Sequence, residues 1–242
     1  MDELAISKEH RWTNPEAHAR DTWVEMHARR TPSGSRVLDA GAGASKYSAL
    51  FGHCTYETQD FCQYQGPLVR YVKPVNYVCD ITQIPLPPQT LDLIVCTEVI
   101  EHIVDPPAAL AEFARLLKPG GKLLLTAPMI SHIHMEPYHY FGGFTRYWYQ
   151  HWLPTRGFEI LSITPVGGPG RSCVAYAQAF HLAWSAREKK TGLALKTISR
   201  IFRVIPKVLC QFVLPRTLPL MDPWLGSDLV CSGFMVEATR KE

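Results

Sequence analysis

Val37-Leu38-Asp39-Ala40-Gly41-Ala42-Gly43-Ala44-Ser45 is the stretch on which the reading of this chain turns. Aliphatic residues after Arg36 lead into a string of small ones, and Lys46 to Phe51 follow in a helix-like pattern. A strand, a tight glycine turn and a helix N-terminus let backbone N–H groups approach a nucleotide-like ligand closely.

Working outward, apolar strands alternate with helical patterns, as in a parallel sheet wound with helices. Strands are expected at Arg36 to Ala40, Thr55 to Gln59, Asn76 to Cys79, Leu91 to Cys96, Lys122 to Thr126, Phe158 to Thr164 and Leu229 to Ala238. Helices are expected from Pro15 to Arg30, capped by Asn14, from Pro107 to Leu117, and around Thr145 to Pro154. On the first helix Trp23, Met26 and His27 share a face. Pro119-Gly120-Gly121 is expected to stop the second. The alternating last strand suits a sheet edge. The fold class is therefore α/β: a Rossmann-like doubly wound sheet of about seven strands, with an antiparallel edge strand and a helical insertion before the last strand.

The expected organisation is one domain over 1–242. Residues 1–35 form an N-terminal helical cap, 36–169 the core and a lid, 170–227 the helical insertion and 228–242 the final strand. The insertion is basic. Lys189 to Arg216 contains no acidic residue, and Lys196, Arg200, Arg203 and Lys207 fall on one helical face with Leu195, Ile198, Phe202, Ile205 and Leu209 largely on the other. Such a segment packs on the body of the domain or lies on an anionic membrane surface.

In an open α/β sheet the ligand sits beyond the carboxyl ends of the strands. Gly41 and Gly43 allow close approach there. Asp60, about 20 residues on, is placed for two ribose hydroxyls, and Asp80 for an adenine amino group. Lys46 stands where a dinucleotide fingerprint needs its third glycine, and Asp39 puts negative charge where a pyrophosphate would sit. A nicotinamide oxidoreductase is disfavoured for that reason. A cofactor with a cationic amino group and no phosphate fits better.

The motif series resembles class I S-adenosylmethionine-dependent methyltransferases. It comprises Val37 to Gly43, Asp60, Cys79-Asp80-Ile81, Ile84-Pro85-Leu86-Pro87, Glu98-Val99-Ile100-Glu101-His102 and Leu117-Lys118-Pro119-Gly120-Gly121, in family order over about residues 35 to 165. The resemblance implies S-adenosylmethionine as cofactor, held by Asp39, Gly41, Gly43, Asp60, Phe61, Asp80, Ile81, Thr97 and Glu98. His134-Met135-Glu136-Pro137-Tyr138-His139-Tyr140-Phe141, followed by Phe144-Thr145-Arg146, is similar to the substrate lid of small-molecule members. There His102, Glu136, Tyr138 and Tyr140 are expected against the acceptor. A family acid is often found where His139 stands.

Methyl transfer is an in-line displacement, and a hydroxyl acceptor calls for a general base. His139 is the first candidate and His134 the second. Phe141, Phe144, Tyr147, Trp148 and Tyr149 are expected as pocket walls. No metal is expected, because His132, His134 and Glu136 on one loop would fix a cation poorly.

Composition bounds the rest. At 46% apolar, 19% charged and a formal charge of +3, the 242 residues suit a packed domain and give no argument for nucleic acid. No motif for a flipped base is present. Seven scattered cysteines without a CxxC pair read as reduced thiols. Met1-Asp2-Glu3-Leu4 does not read as a secretory leader, so a cytoplasmic protein is expected, with peripheral contact at the inner membrane surface through the basic insertion. The expected acceptor is a small-molecule hydroxyl: a glycan sugar, a secondary metabolite or a lipid-like substrate. The alternative is a catalytically silent cofactor-binding scaffold or partner subunit.

Overall fold

The computed structural model describes residues 14–188, 208–226 and 229–242. Its contacts divide the chain into two units, Met1–Thr164 with Gly233–Glu242, and Pro165–Ser232. Most of the expected basic helix (Lys189, Lys190, Lys196, Arg200, Arg203 and Lys207) lies outside the described residues.

The first unit holds helix α1 (Pro15–Arg30), strands β1 (Arg36–Ala40), β2 (Thr55–Asp60), β3 (Tyr77–Val78) and β4 (Leu91–Thr97), and a 3-10 turn (Ile100–His102). Helix α2 (Pro106–Leu116), strand β5 (Leu117–Pro128), helix α3 (Arg146–Thr155), most of β6 (Phe158–Val166) and β7 (Gly233–Arg240) follow. The sheet order is β3-β2-β1-β4-β5-β7-β6. β1 pairs in parallel with β2 on one side and β4 on the other, Asp39 lying opposite both Thr58 and Val95. The strand order reverses at that point, which puts the ligand crevice over Gly41.

Local chemistry explains the helices. Asn14 accepts from the Ala17 N–H at 3.1 Å with Pro15 in the first turn, and Asp105 caps α2 through Ala108 at 3.0 Å ahead of Pro106. Val24 and Ala28 of α1 are buried with Tyr47, Phe51, Val37, Val95 and Leu124. Met26 is exposed, so the buried face of α1 is Val24, His27 and Ala28, with Trp23 edge-on to His27. Asp92, the one charge in β4, accepts from the Arg36 N–H at 2.8 Å and pairs with Lys118 at 2.6 Å, tying the starts of three strands together.

The structure departs from the expectations at defined points. Lys46 to Phe51 is not a helix; it winds through turns such as Ser48 N–H to Ser45 O and Leu50 N–H to Tyr47 O. Gly43 at φ +50° and Ser45 at φ +55° precede it in left-handed conformation, and its backbone bonds span three residues, not four. β3 is shorter than expected, and β5 begins at Leu117 instead of after the glycines. Its pairing jumps from Leu91↔Leu117 to Leu93↔Lys122, so Lys118–Gly121 bulge out of the ladder with Gly120 at φ +76°. The antiparallel strand β7 is not at the edge. It pairs with β5 from Lys122↔Thr239 to Pro128↔Gly233 and lies between β5 and β6, beginning at Gly233 and not at Leu229. Its alternation is real, with buried Phe234, Val236 and Ala238 between half-buried Met235, Glu237 and Thr239, but alternation also fits an inner strand with one face less covered.

The second unit, taken by itself, is helical. Helix α4 (Pro169–Glu188) is followed by a π-helical turn (Leu209–Val213), α5 (Leu214–Thr217), a 3-10 turn (Leu218–Met221) and α6 (Asp222–Leu225). Asp222 holds the start of α4 by accepting from the Gly170 N–H at 2.6 Å. No described helix is long and apolar enough to cross a membrane.

Candidate functional site

At the end of β1 the Gly41 N–H donates to the Gln59 carbonyl at 2.8 Å and to its side-chain oxygen at 3.2 Å. Gly41 has φ +72°, and a Cβ there would stand 2.4 Å from a Val99 methyl. Packing against the chain's own Val99 therefore demands this glycine. Asp39, one strand position from the turn, is buried and accepts a short hydrogen bond from the Tyr56 hydroxyl. Burial, opposed by that bond and by Lys46 and reinforced by Asp60, raises its carboxyl to about 6.

Asp60, the expected ribose acid, is buried at the end of β2. One oxygen accepts from the Gly43 N–H at 2.9 Å; the other accepts from the Cys62 N–H at 2.9 Å and the Tyr71 hydroxyl at 3.2 Å. A carboxylate has about four acceptor positions, so room remains for one more donor. Asp80 is exposed and occupied in a local turn with the Thr82 N–H and hydroxyl, while Ile81 beside it is buried. Phe61 meets lid residue Tyr138 edge-on, with ring centroids 4.9 Å apart. Gln59, which the sequence reading passed over, is buried and links the glycine turn to the Cys79 carbonyl at 2.7 Å. A buried amide inside a strand was the available signal.

Beyond β4, Thr97 and Glu98 face partners that the sequence did not offer. The Thr97 hydroxyl lies 3.5 Å from the Tyr47 hydroxyl, which donates to Asp21 at 2.8 Å. Glu98, at φ +55°, accepts from the Thr126 hydroxyl at 2.8 Å and lies 3.5 Å from the Arg20 guanidinium. Lys46 pairs with Asp21 at 2.7 Å. Arg20 and Asp21 thus carry α1 to the mouth of the crevice. A charge pair on a polar helix reads as solvated, which is why they escaped notice.

The next turn carries the densest chemistry. Glu101 is buried, and its Oε2 has no hydrogen-bond partner; burial, reinforced by Glu98, pushes its carboxyl well above the ordinary range. Its backbone carbonyl accepts from the Tyr140 and Phe141 N–H groups at 2.9 and 3.2 Å, pinning the lid to the turn. His102 Nδ1 lies 2.5 Å from the Tyr138 carbonyl. A carbonyl can only accept, so Nδ1 carries the proton and Nε2 keeps its lone pair. Burial, helped by His134 and His139 against that bond, pushes His102 down to about 4, so the ring is neutral. His134 Nδ1 sits 2.9 Å from the His132 carbonyl, which fixes the same tautomer.

The rings of His102 and His134 are 4.7 Å apart, His134 and His139 4.5 Å. Glu101, His102 and His134 each bring one ligand atom within 4.8 Å of the others. A buried carboxyl with an unpartnered oxygen and two imidazoles whose Nδ1 atoms are taken up by carbonyls suit a divalent cation of the zinc or manganese kind. The group differs from the loop set weighed in the sequence, since Glu101 and His102 stand on the turn after β4. Glu136 is exposed and not among the three.

Lid residues His134, Glu136 and Tyr138 line a cavity of about 570 Å³ together with Gln63 and Tyr64, a volume suited to a small or medium-sized molecule. Tyr140 stands exposed beside it in sequence, and His139 keeps a buried Nε2 without a hydrogen-bond partner. Of the expected aromatic walls, Phe144 and Tyr149 are fully buried core and Tyr147 is exposed. Their helical spacing served packing.

Residues 38–125 match the methyltransferase domain family. The ubiquinone biosynthesis O-methyltransferase of Coxiella burnetii is 34% identical over 106 residues, which are 40% of this chain and 44% of the relative. The chain thus spans less than half the length of that relative. Among solved structures, a putative sarcosine dimethylglycine methyltransferase from Galdieria sulphuraria superposes with a TM-score of 0.57 at 16% identity, over 94% of this chain and 88% of the other. The [4+2]-cyclase SpnF superposes with a TM-score of 0.56 at 14% identity, over 93% and 82%. Likeness at that level is one of fold, and a fold hosts more than one chemistry.

Proposed function

The chain carries a class I S-adenosylmethionine-dependent methyltransferase domain, and on that premise we propose that it transfers the cofactor's methyl group to a hydroxyl of a small or medium-sized acceptor. The observation that supports an oxygen acceptor is the neutral His102, whose Nδ1 proton is committed to the Tyr138 carbonyl, leaving the Nε2 lone pair free in a ring 4.7 Å from that of His134. The Coxiella relative is by name an O-methyltransferase. A glycan sugar, a secondary metabolite and a lipid-like molecule remain the proposed acceptor classes.

When bound, the cofactor supplies an electrophilic methyl on a sulfonium. The chain's residues do the rest. Gly41 and Gly43 leave room at the turn, Asp60 offers its remaining acceptor position to the ribose, and Asp80 with Ile81 frames the base. Thr97 and Glu98 face the methionine end. The lid, held by Glu101 through Tyr140 and Phe141, excludes water and aligns the acceptor oxygen. As that oxygen attacks, its proton passes to a ring nitrogen. His102 and His134 are the first bases to test, because a carbonyl takes up each Nδ1 and leaves Nε2 free; His139, whose buried Nε2 also lacks a partner, is the third.

The Glu101–His102–His134 group favours a second reading of the same step, in which a divalent cation held there polarises the acceptor hydroxyl. The test is formation of S-adenosylhomocysteine from a panel of phenols, sugars and lipid-like alcohols, with and without chelator. Loss on chelation and recovery on adding metal back selects the cation. Full activity in His102→Ala sinks both readings of the acid–base group. No turnover with any acceptor, together with tight cofactor binding, leaves the silent scaffold; absence of cofactor binding ends the proposal.

A further inference from the structure

Between β2 and β3 the chain runs from Phe61 to Asn76 without helix or strand. Both ends of this run are fixed. Tyr64 is buried, and Gly66 lets the chain turn over it, since a Cβ there would stand 2.1 Å from the Tyr64 hydroxyl oxygen. At the other end the Asn76 side-chain oxygen accepts from the Thr58 N–H and hydroxyl, both at 2.9 Å. The middle is exposed, with Leu68 at 62% and Val72 at 69%. Side-chain contacts hold it down at the glycine turn and just after it. A Cβ on Gly43 would stand 3.3 Å from a Val69 methyl, Tyr71 reaches Asp60, and Lys73 Nζ donates to the Ser48 hydroxyl at 2.6 Å. A segment with fixed ends and an exposed middle opens locally at low cost.

Tyr71 takes an acceptor position that a ribose needs. Asp60 accepts from the Gly43 and Cys62 N–H groups at 2.9 Å each, and the Tyr71 hydroxyl at 3.2 Å is the third donor. A carboxylate has about four acceptor positions, so one is left, whereas a ribose brings two adjacent hydroxyls. The two N–H groups belong to the backbone that shapes the site; the phenol is the donor able to leave. Burial, reinforced by Asp60, raises the Tyr71 hydroxyl above its ordinary range, so at neutral pH it keeps its proton and donates as a ribose hydroxyl would.

We propose that residues 67–73 form a strap over the cofactor crevice of the ligand-free protein, with the Tyr71 hydroxyl standing in for a ribose hydroxyl on Asp60, and that cofactor binding displaces it. The inference rests on the S-adenosylmethionine reading and deepens it. Tyr71 is the chain's own competitor for the ribose site, and the fraction of chains with the strap closed sets the apparent affinity.

A bond made only in the ligand-free state gives a signature that a merely structural tyrosine does not. Removing it destabilises that state and leaves the bound state unchanged. Tyr71→Phe should therefore lower the thermal midpoint of the free protein by about 1–4 °C. The same variant should bind S-adenosylhomocysteine about three- to tenfold more tightly in titration calorimetry. At saturating S-adenosylhomocysteine the two midpoints should coincide. The 2′,3′-dideoxy analogue, which brings no diol to Asp60, should gain nothing from the substitution. Weaker binding by Tyr71→Phe overturns the proposal and makes Tyr71 a residue that holds the cofactor. Unchanged affinity, or an equal gain for the dideoxy analogue, overturns it as well. Those results leave the S-adenosylmethionine reading standing, whereas no binding by either the native chain or the variant ends both.

Discussion

The Tyr71 hydroxyl donates to Oδ1 of Asp60 at 3.2 Å, so a phenol from the chain stands on the carboxylate expected to hold a ribose. The same carboxylate fixes the Gly43 N–H at 2.9 Å. Asp60 therefore shapes the glycine turn and serves the ligand at once.

Replacing Asp60 by alanine should raise the cofactor dissociation constant about tenfold or more, the scale of a charge-assisted hydrogen bond, and lower the thermal midpoint by several degrees for the N–H groups left unpaired. Titration calorimetry with S-adenosylhomocysteine reads the first and calorimetric unfolding the second. A lower midpoint with unchanged affinity would show that the acid is structural and that the ribose carboxylate lies elsewhere.

Gly41 gives a sharper mutational signature. An alanine there adopts φ +72° at a cost of about 1–2 kcal/mol. Its Cβ also meets Val99 at 2.4 Å, which adds overpacking of about 1–3 kcal/mol. Gly41→Ala should thus lose about 2–5 kcal/mol in denaturant unfolding. Adding Val99→Ala should recover the overpacking part alone, so the double-mutant cycle should show a favourable coupling. Strict additivity would mean that backbone strain is the whole effect.

The order and type of the sheet elements were legible because β1, β4 and the α2 pattern are continuous, strongly periodic and buried. Alternation along β7 identified a strand but carried no information about its neighbours, which are set by its ladder with β5 from Lys122↔Thr239 to Pro128↔Gly233. Left-handed backbone at Ser45, a residue that is not glycine, is not announced by composition, nor is the run of turns that follows it. At the site, the cofactor positions were readable from motif order. The Glu101–His102–His134 group was not, because Glu101 and His134 are 33 positions apart and come together only when the lid folds back on the turn. Arg20 and Asp21 were hidden because a charge pair on a polar helix reads as solvated, while their partners Glu98 and Lys46 lie far along the chain.

Glu112 and Arg115 explain why Ile84-Pro85-Leu86-Pro87 precedes β4. Buried Glu112 accepts from the Ile84 N–H at 2.7 Å and from Arg115, whose guanidinium donates to the Leu86 and Ile84 carbonyls at 2.8 and 3.0 Å. Glu112→Ala should destabilise by about 2–4 kcal/mol, since a buried N–H and a cation lose their partner together. Glu112→Gln retains an acceptor for Ile84 and should lose roughly half as much. Equal losses in urea unfolding would mean that charge alone matters at this position.

Asp39 makes stability depend on pH in a calculable direction. Its folded carboxyl is raised from 3.8 to about 6, chiefly by burial, against the bond from Tyr56. The fold therefore favours the protonated acid. The associated stability is fully present below about pH 4 and is lost as pH rises through about 6, where ionising the buried group works against the fold. That rise corresponds to an upper limit of about 3 kcal/mol. Asp39→Asn keeps an oxygen for the Tyr56 hydroxyl and removes the titration. Relative to the native chain, the variant should gain up to about 3 kcal/mol at pH 8 and almost nothing at pH 4. Other titrating groups cancel in that difference, so urea unfolding of both proteins at the two pH values isolates Asp39. A gain that is the same at both would mean that its carboxyl titrates normally and that burial here carries no penalty.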